Sequence, residues 1–279
     1  MLRNMDYATQ AIPSCRDNWA KAGSWRPAPG PAATSLTAHS HAQELQPPRN
    51  MLLAQLPQEI RERLLPHLEL VQLRTGQVVF ESGDVVKHVF FPVDCIASLL
   101  YMMENGASAE TAMVGREGVI GAALFMGGET SLHRAVIHSP GSAYRLRGVV
   151  LKQEFERVSP LTYLLLRHTQ SILTQMAQTA ACNRYHSVDQ QLCRWLLLAL
   201  DRLPRNELFM TQESIAGMLG VRREGVTEAA RKLQKAGLID YSRGHIRVLN
   251  RAGLETRSCE CYGVIRTECA RLLSTLRAA

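Results

Sequence analysis

The side chains with the most evident capacity for chemistry lie between residues 211 and 248. Arg222, Arg223, Glu224, Thr227, Glu228 and Arg231 fall on the outer side of one helical stretch, and Val226, Ala229, Ala230 and Leu233 form its inner face. Guanidinium, carboxylate and hydroxyl groups displayed along one helix are partners for phosphates and base edges. A shorter helix must precede it. Thr211 is a natural N-cap, with Ile215, Ala216 and Leu219 at helical spacing behind it, and Gly220 is a residue that can take positive φ. Val221 is expected to open the second helix and Gly237 to stop it. Leu238–Tyr241 and His245–Val248 then alternate as short strands around Ser242-Arg243-Gly244. The pattern predicts a helix-turn-helix with a wing, whose second helix fits the major groove of B-DNA. Any small helical domain shows charged outer faces. The small residues Ala216 and Gly220, which let two helices cross closely, and the adjacent wing favour the DNA-binding reading.

Other reactive side chains are sparser. The seven cysteines are Cys15, Cys95, Cys182, Cys193, Cys259, Cys261 and Cys269. An odd, scattered set without a signal peptide argues against a disulfide framework. Cys259-x-Cys261 with Cys269 invites a metal or redox reading. That segment has no second tight pair and no histidine, so no metal site is assigned. A cupin-type metal enzyme would need two or three histidines and a carboxylate at ligand spacing. His88, His133 and His138 are too scattered, and no nucleophile elbow or P-loop occurs. The expectation is therefore not an enzyme. RNA binding lacks the stacking aromatics of a sheet motif.

The elements that must position these groups follow from composition and period. The 279 residues suit about two domains, with 46% hydrophobic and 20% charged side chains, as in ordinary globular proteins. No apolar run approaches the roughly 20 residues of a membrane helix, and the expected location is cytoplasmic. The formal charge is +7, unevenly spread. Residues 51–185 carry 12 basic and 12 acidic groups, whereas residues 186–257 carry 12 and 8. The excess sits on the segment with the helix-turn-helix, as phosphate neutralisation favours.

Residues 1–50 are rich in Pro, Ala, Ser, Thr and Gln, and are expected to be a disordered extension. Met51 opens the folded pattern, which leaves open whether residues 1–50 belong to the native protein. Leu52, Leu53, Leu56, Ile60, Leu64, Leu65 and Leu68 predict a helical piece over residues 51–70. Short runs then predict strands: Gln77–Phe80, His88–Pro92, Ile96–Tyr101, Ala109–Val114, Arg134–Ile137 and Ser142–Leu146. Gly and Asp turns between them suggest an antiparallel sandwich or jelly roll. From Ser159 the period is helical for about 25 residues, with Leu161, Leu164, Leu165, His168, Ile172, Leu173, Met176 and Ala180 near heptad spacing. A dimer seam is the expectation. A helix packed on its own β-domain is the competing one. His186-Ser187 marks a hinge, Asp189–Arg202 a further amphipathic helix, and Gly263–Arg277 a terminal helix.

The order of these elements resembles the Crp/Fnr family of bacterial transcription regulators. The resemblance is strongest at Thr211-Gln212-Glu213-x-Ile215-Ala216-x-x-Leu219-Gly220-Val221, Arg223-Glu224-x-Val226 and Leu233-x-x-x-Gly237-Leu238-Ile239. It is also plain from Thr75-Gly76 to Gly83-Asp84 and at His88-Val89-Phe90-Phe91. It implies an α+β chain: an N-terminal double-stranded β-helix or jelly-roll sensor of the cyclic-nucleotide-binding type (51–158), a dimerisation helix and hinge (159–186), a winged helix-turn-helix (187–257) and a C-terminal helix (258–279). Arg223 and Glu224 then align with the family's base-reading pair. Arg can donate to guanine O6 and N7, and Glu can accept from cytosine N4. Thr211, Gln212 and Glu213 look like phosphate-contact positions, and Arg222, Arg231, Thr227 and the wing residue Arg243 complete the implied DNA contacts. Two positions depart: Gly225 replaces a hydroxyl or larger residue, and Glu228 stands where a second base-reading Arg is common. The target half-site is therefore expected to differ.

The family's cyclic-nucleotide cassette has Gly-Glu for the ribose and a later Arg for the cyclic phosphate. Here the matching stretch is Gly121-Ala122-Ala123-Leu124, without the carboxylate, and His133-Arg134-Ala135-Val136 keeps an Arg at changed spacing. Arg134 and Glu117 are the candidate effector-binding residues, and cyclic nucleotide is the candidate ligand, with no cofactor assigned. The cysteine cluster of oxygen-sensing iron–sulfur members is absent. The resemblance further implies a homodimer through residues 160–184, a palindromic double-stranded DNA site and RNA polymerase as a partner. A cyclic-nucleotide-binding regulatory protein without DNA binding is the rival reading, and residues 211–247 argue against it.

Overall fold

The computed structural model describes residues 49–274. The expected disorder of residues 1–48 and the end of the terminal helix lie outside them. Entry into the fold is fixed by Asn50, which is fully buried. Its Oδ1 accepts from the N–H groups of Leu52 and Leu53 at 3.0 and 3.2 Å, capping α1 (Met51–Ala54). Its Nδ2 donates to the carbonyls of Pro92 and Gly118, both at 2.9 Å. Every polar atom of that side chain thus has a partner, as burial requires. Asn50 belongs to the folded unit, one residue earlier than the sequence pattern indicates.

The leucine pattern of residues 51–70 is not one helix. It resolves into α1, α2 (Gln58–Leu64), a 3-10 turn at Leu65–His67 and then β1 (Glu69–Leu73). Pro57 and Pro66 fall at two of these breaks. Six further strands follow: β2 (Val78–Phe80), β3 (His88–Pro92), β4 (Ile96–Met102), β5 (Ser108–Val114), β6 (Arg134–Ser139) and β7 (Gly141–Arg147). They form two antiparallel sheets, β1-β7-β3 and β2-β6-β4-β5. Leu73, Phe80, Ala97, Val114, Ile120, Ala135, Ile137 and Ala143 make one core of the roll. A second core joins Val89, Phe91 and Leu146 to Leu52, Leu53, Ile60 and Leu64 of the lead-in helices. It also includes Leu151 from α3 (Gly148–Glu156) and Leu161, Leu164 and Leu165 from α4 (Pro160–Tyr185).

That second core takes up part of the residue set expected at the seam. Leu161, Leu164, Leu165 and His168 pack on the chain's own roll. His168 Nε2 lies 3.0 Å from the carbonyl of Val119, and Gly118 leaves the room the imidazole ring occupies. Leu173 and Ala180 of the expected set are exposed instead, on a stripe with Tyr163, Leu166, Gln170 and Ala177 that alternates by three and four residues.

Two residues, His186 and Ser187, separate α4 from α5 (Val188–Leu200). Ser187 and Gln190 form a reciprocal capping box, so α5 starts from a fixed point. The remaining elements are β8 (Glu207–Phe209), α6 (Gln212–Leu219), α7 (Arg223–Lys235), β9 (Ile239–Ser242), β10 (His245–Val248), α8 (Arg251–Arg257) and α9 (Glu260–Ser274). Their core is built around α5, with Trp195, Leu196, Ile215, Ala216, Leu219, Val226, Ala229 and Leu233. Ile96 and Met113 of the roll join the same core. Among the described residues no helix is long and apolar enough to cross a membrane.

Candidate nucleic-acid interface

The first helix of the motif begins as its sequence requires. Thr211 Oγ1 accepts from the Ser214 N–H at 3.1 Å, and Gly220 closes the helix in the left-handed region at φ 66°. The second helix begins later than Val221: Arg222 is the N-cap and Arg223 the first helical residue. Val221 instead sits in the turn, its N–H bonded to the Ala216 carbonyl at 3.0 Å. Arg222 makes no side-chain cap bond, and Arg222, Arg223 and Glu224 at this positive dipole end of α7 are all exposed. Val226, Ala229, Ala230 and Leu233 are buried behind them.

The two helices are pinned to each other. Thr227 Oγ1 donates to Gln212 Oε1 at 2.6 Å, so a proposed contact on α7 is oriented by one on α6. Arg223 Nε and Glu213 Oε2 stand 4.0 Å apart, both largely exposed, which leaves the guanidinium free to turn. Arg231 and Arg243 are also exposed. Glu228 pairs with Lys232 at 3.0 Å, and Lys232 pairs with Asp189 of α5 at 3.3 Å. The acidic residue at the departing position therefore has a partner within its own helix. At Gly225 an added Cβ would meet Val188 methyls only at 3.8 Å, so the backbone does not require glycine there.

The wing follows its predicted hairpin. Arg243 and Gly244 take φ of 50° and 80°, the doubly left-handed turn that matches strand twist. A third strand goes beyond the predicted hairpin: β8 pairs with β10, giving the order β8-β10-β9. Tyr241 donates to the Met210 carbonyl at 2.8 Å and fastens the wing to the start of α6.

The roll and α5 are joined by buried polar groups. Glu110 on β5 accepts from Trp195 Nε1 at 3.0 Å and from the Ser98 hydroxyl. Ser98 Oγ is 2.7 Å from His138 Nδ1. Burial pushes the Glu110 carboxyl up to about 7 and His138 down to about 3. Arg202 donates to Glu117 at 2.6 Å and to the Leu198 carbonyl at 2.6 Å. Glu117, an effector-binding candidate from the sequence, thus forms an ion pair between the loop after β5 and the turn after α5.

The other effector candidate is similarly engaged. Arg134 Nε forms an ion pair with Glu81 Oε2 at 3.1 Å without a hydrogen bond. Gly121 takes φ 106°, and Ala122–Leu124 form a 3-10 turn with Leu124 buried. No carboxylate stands in residues 121–126 to hold a ribose.

The cysteines group differently in space than in sequence. Cys269 Sγ contacts Ser171 Oγ at 2.8 Å, away from the pair it follows in sequence. Cys259 and Cys261 instead meet Cys182 and His186, from the end of α4 and the hinge, with all four ligand-capable atoms within 4.8 Å of one another. The histidine missing from the local segment is supplied 73 residues upstream, which no local spacing could reveal.

Residues 190–257 match the model of the Crp-like helix-turn-helix domain, and residues 70–158 match the model of the cyclic nucleotide-binding domain. No curated protein matches the sequence. Among solved structures the chain is similar to FixK2 from Bradyrhizobium japonicum, at 16% identity and a TM-score of 0.60, over 69% of this chain and 98% of that one. It is similar to a transcriptional regulator of the Crp/Fnr family from Eubacterium rectale, at 18% identity and a TM-score of 0.58, over 74% and 96%. It is also similar to the c-di-GMP-responsive global regulator CLP from Xanthomonas campestris, at 19% identity and a TM-score of 0.54, over 67% and 96%. At these identities the likeness carries the fold, and the two matched domains carry the family. With a cyclic-nucleotide-binding-type roll, a long helix and a Crp-like helix-turn-helix in one chain, the protein belongs to the Crp/Fnr family of transcription regulators.

Proposed function

We propose that the protein reads a palindromic DNA site as a homodimer, with Arg223 and Glu224 meeting base edges and Thr211, Gln212, Glu213, Arg222, Thr227, Arg231 and Arg243 meeting the backbone or supporting those contacts. The observation that carries this reading is the outward presentation of Arg222, Arg223 and Glu224 at the uncapped start of α7. A helix placed this way delivers its N-terminal residues to the major groove. The α4 stripe of Tyr163, Leu166, Gln170, Leu173, Ala177 and Ala180 is apolar apart from Gln170 and is exposed along its length, as a two-stranded seam requires.

Signals from the roll reach α5 through Glu110–Trp195 and Glu117–Arg202, and a shift there would change the pose of α7. With Arg134 engaged by Glu81 and no ribose carboxylate, the effector of the roll is not classical cyclic AMP. The test is selection of bound DNA fragments by the purified full chain, with and without cyclic AMP and cyclic GMP. The expected result is a palindrome enriched equally in all conditions. Enrichment only with a nucleotide would overturn the effector reading, and no enrichment at all would overturn the DNA reading.

A further inference from the structure

Cys182, His186, Cys259 and Cys261 come from two distant parts of the chain and converge at the hinge between α4 and α5. Cys182 Sγ and Cys259 Sγ are 3.5 Å apart, and Cys261 Sγ is 3.5 Å from His186 Nδ1. All three cysteines are buried, and His186 is partly exposed, which gives an ion a way in.

The spacing discriminates between ligands. A tetrahedral zinc ion with Zn–S near 2.3 Å and Zn–N near 2.0–2.1 Å holds its sulfurs about 3.8 Å apart and a sulfur and nitrogen about 3.5 Å apart. The 3.5 Å separations at Cys182–Cys259 and Cys261–His186 sit close to both values. An iron–sulfur cluster places its thiolates on different irons and spreads them farther than the 4.8 Å that bounds this group. Soft sulfur with one imidazole, closed on all four sides, is the donor set of a structural zinc site.

The surroundings are those of a metal site as well. His186 Nε2 is 3.3 Å from Glu260 Oε2 on its far side, so a carboxylate fixes the ring with Nδ1 toward the sulfurs. Gln178 Nε2 donates to Cys261 Sγ at 3.2 Å. Three thiolates around a divalent ion leave one net negative charge. Arg194 is buried nearby on α5, bonded to Thr179 one turn before Cys182, with its Nε unpartnered and no ion pair among the described residues. Its charge acts on Cys182 as well as on the buried Glu110 carboxyl, so it also lies within the field of the thiolate cluster.

We propose that Cys182, His186, Cys259 and Cys261 bind one zinc ion, which releases the three thiol protons and clamps the hinge end of α4 to the junction of α8 and α9. The clamp fixes the point from which α5 and the winged segment are aimed. The reading does not depend on which DNA the protein recognises.

The experiment uses the full chain purified under reductant without chelator. Elemental analysis is expected to give about one zinc per chain. The control Cys269→Ser should keep it, and Cys259→Ser and Cys261→Ser should lose it. Glu260→Gln, which touches only the outer side of the histidine, should weaken zinc affinity about 10–100-fold. Cobalt added to the chelator-stripped wild type should give thiolate-to-cobalt charge-transfer and tetrahedral d–d bands, a readout independent of whether any variant folds. No zinc and no cobalt spectrum in the wild type would overturn the assignment. So would an iron chromophore with labile sulfide, or a Cys182–Cys259 disulfide in anaerobically prepared protein.

Discussion

Replacing Glu110 by glutamine tests the buried link between the roll and α5. The glutamine keeps the geometry: its oxygen accepts from Trp195 Nε1, and its NH2 donates to Ser98 Oγ, whose proton then goes to His138 Nδ1. What it removes is the buried charge. Burial raises the Glu110 carboxyl from 4.5 to about 7. Between those values the native chain holds a proton that the unfolded chain has released, so stability falls as pH rises through the window. At about 1.4 kcal/mol per unit the loss approaches about 3 kcal/mol above pH 7. His138 acts in the opposite sense. Its pKa falls to about 3 on burial, so the unfolded chain takes a proton below about 6.5 that the native chain refuses, and stability falls as pH falls. Over the shared range the two slopes largely cancel in the wild type. Glu110→Gln exposes the histidine slope alone. Relative to wild type, the variant should gain about 2–3 kcal/mol between pH 5 and pH 8. Urea unfolding of both proteins at the two pH values reads this directly. A wild-type-to-variant difference that is the same at pH 5 and pH 8 would refute the assignment of a buried, proton-holding carboxyl.

Three further outcomes follow from the same geometry. Arg223→Ala should weaken specific DNA binding by about 1–3 kcal/mol per half-site at fixed salt, with nonspecific binding little changed, as measured by fluorescence anisotropy. Leu166→Glu with Leu173→Glu places charges on the exposed stripe of α4, so the protein should sediment as a monomer; an unchanged dimer would place the seam elsewhere. Gly118→Ala would bring a Cβ to 2.2 Å from His168 Cε1, inside a buried and hydrogen-bonded ring, and should destabilise the chain by about 1–3 kcal/mol in denaturant unfolding.

The legible parts of the chain were those whose instructions are local. Thr211, Gly220, Gly237 and the Ser242-Arg243-Gly244 turn each specify their own backbone state, and the structure places helix ends and the wing at or within two residues of them. The roll strands were legible for the same reason, since alternation and Gly turns act over a few residues. What failed depended on distance. The leucines of residues 51–70 repeat as a helix would, yet Pro57, Pro66 and the pairing of Glu69–Leu73 with β7 divide them. The heptad on α4 had two apolar stripes, and only the position of the roll decides which one is buried. Glu117 and Arg134 read as free to bind an effector because their partners, Arg202 and Glu81, lie far away in sequence. The convergence of His186 with Cys259 and Cys261 is of the same kind.

The most direct test of the central claim is to recover the DNA that the full chain selects and then repeat the selection with Arg223→Ala. The expected product is a palindrome whose half-sites are centred one helical turn apart, about 34 Å. The variant should lose discrimination at one base pair in each half-site while retaining the spacing. An identical selected sequence for both proteins would contradict the placement of Arg223 at the base edges, and selection of no common sequence would contradict the reading of α7 as a recognition helix.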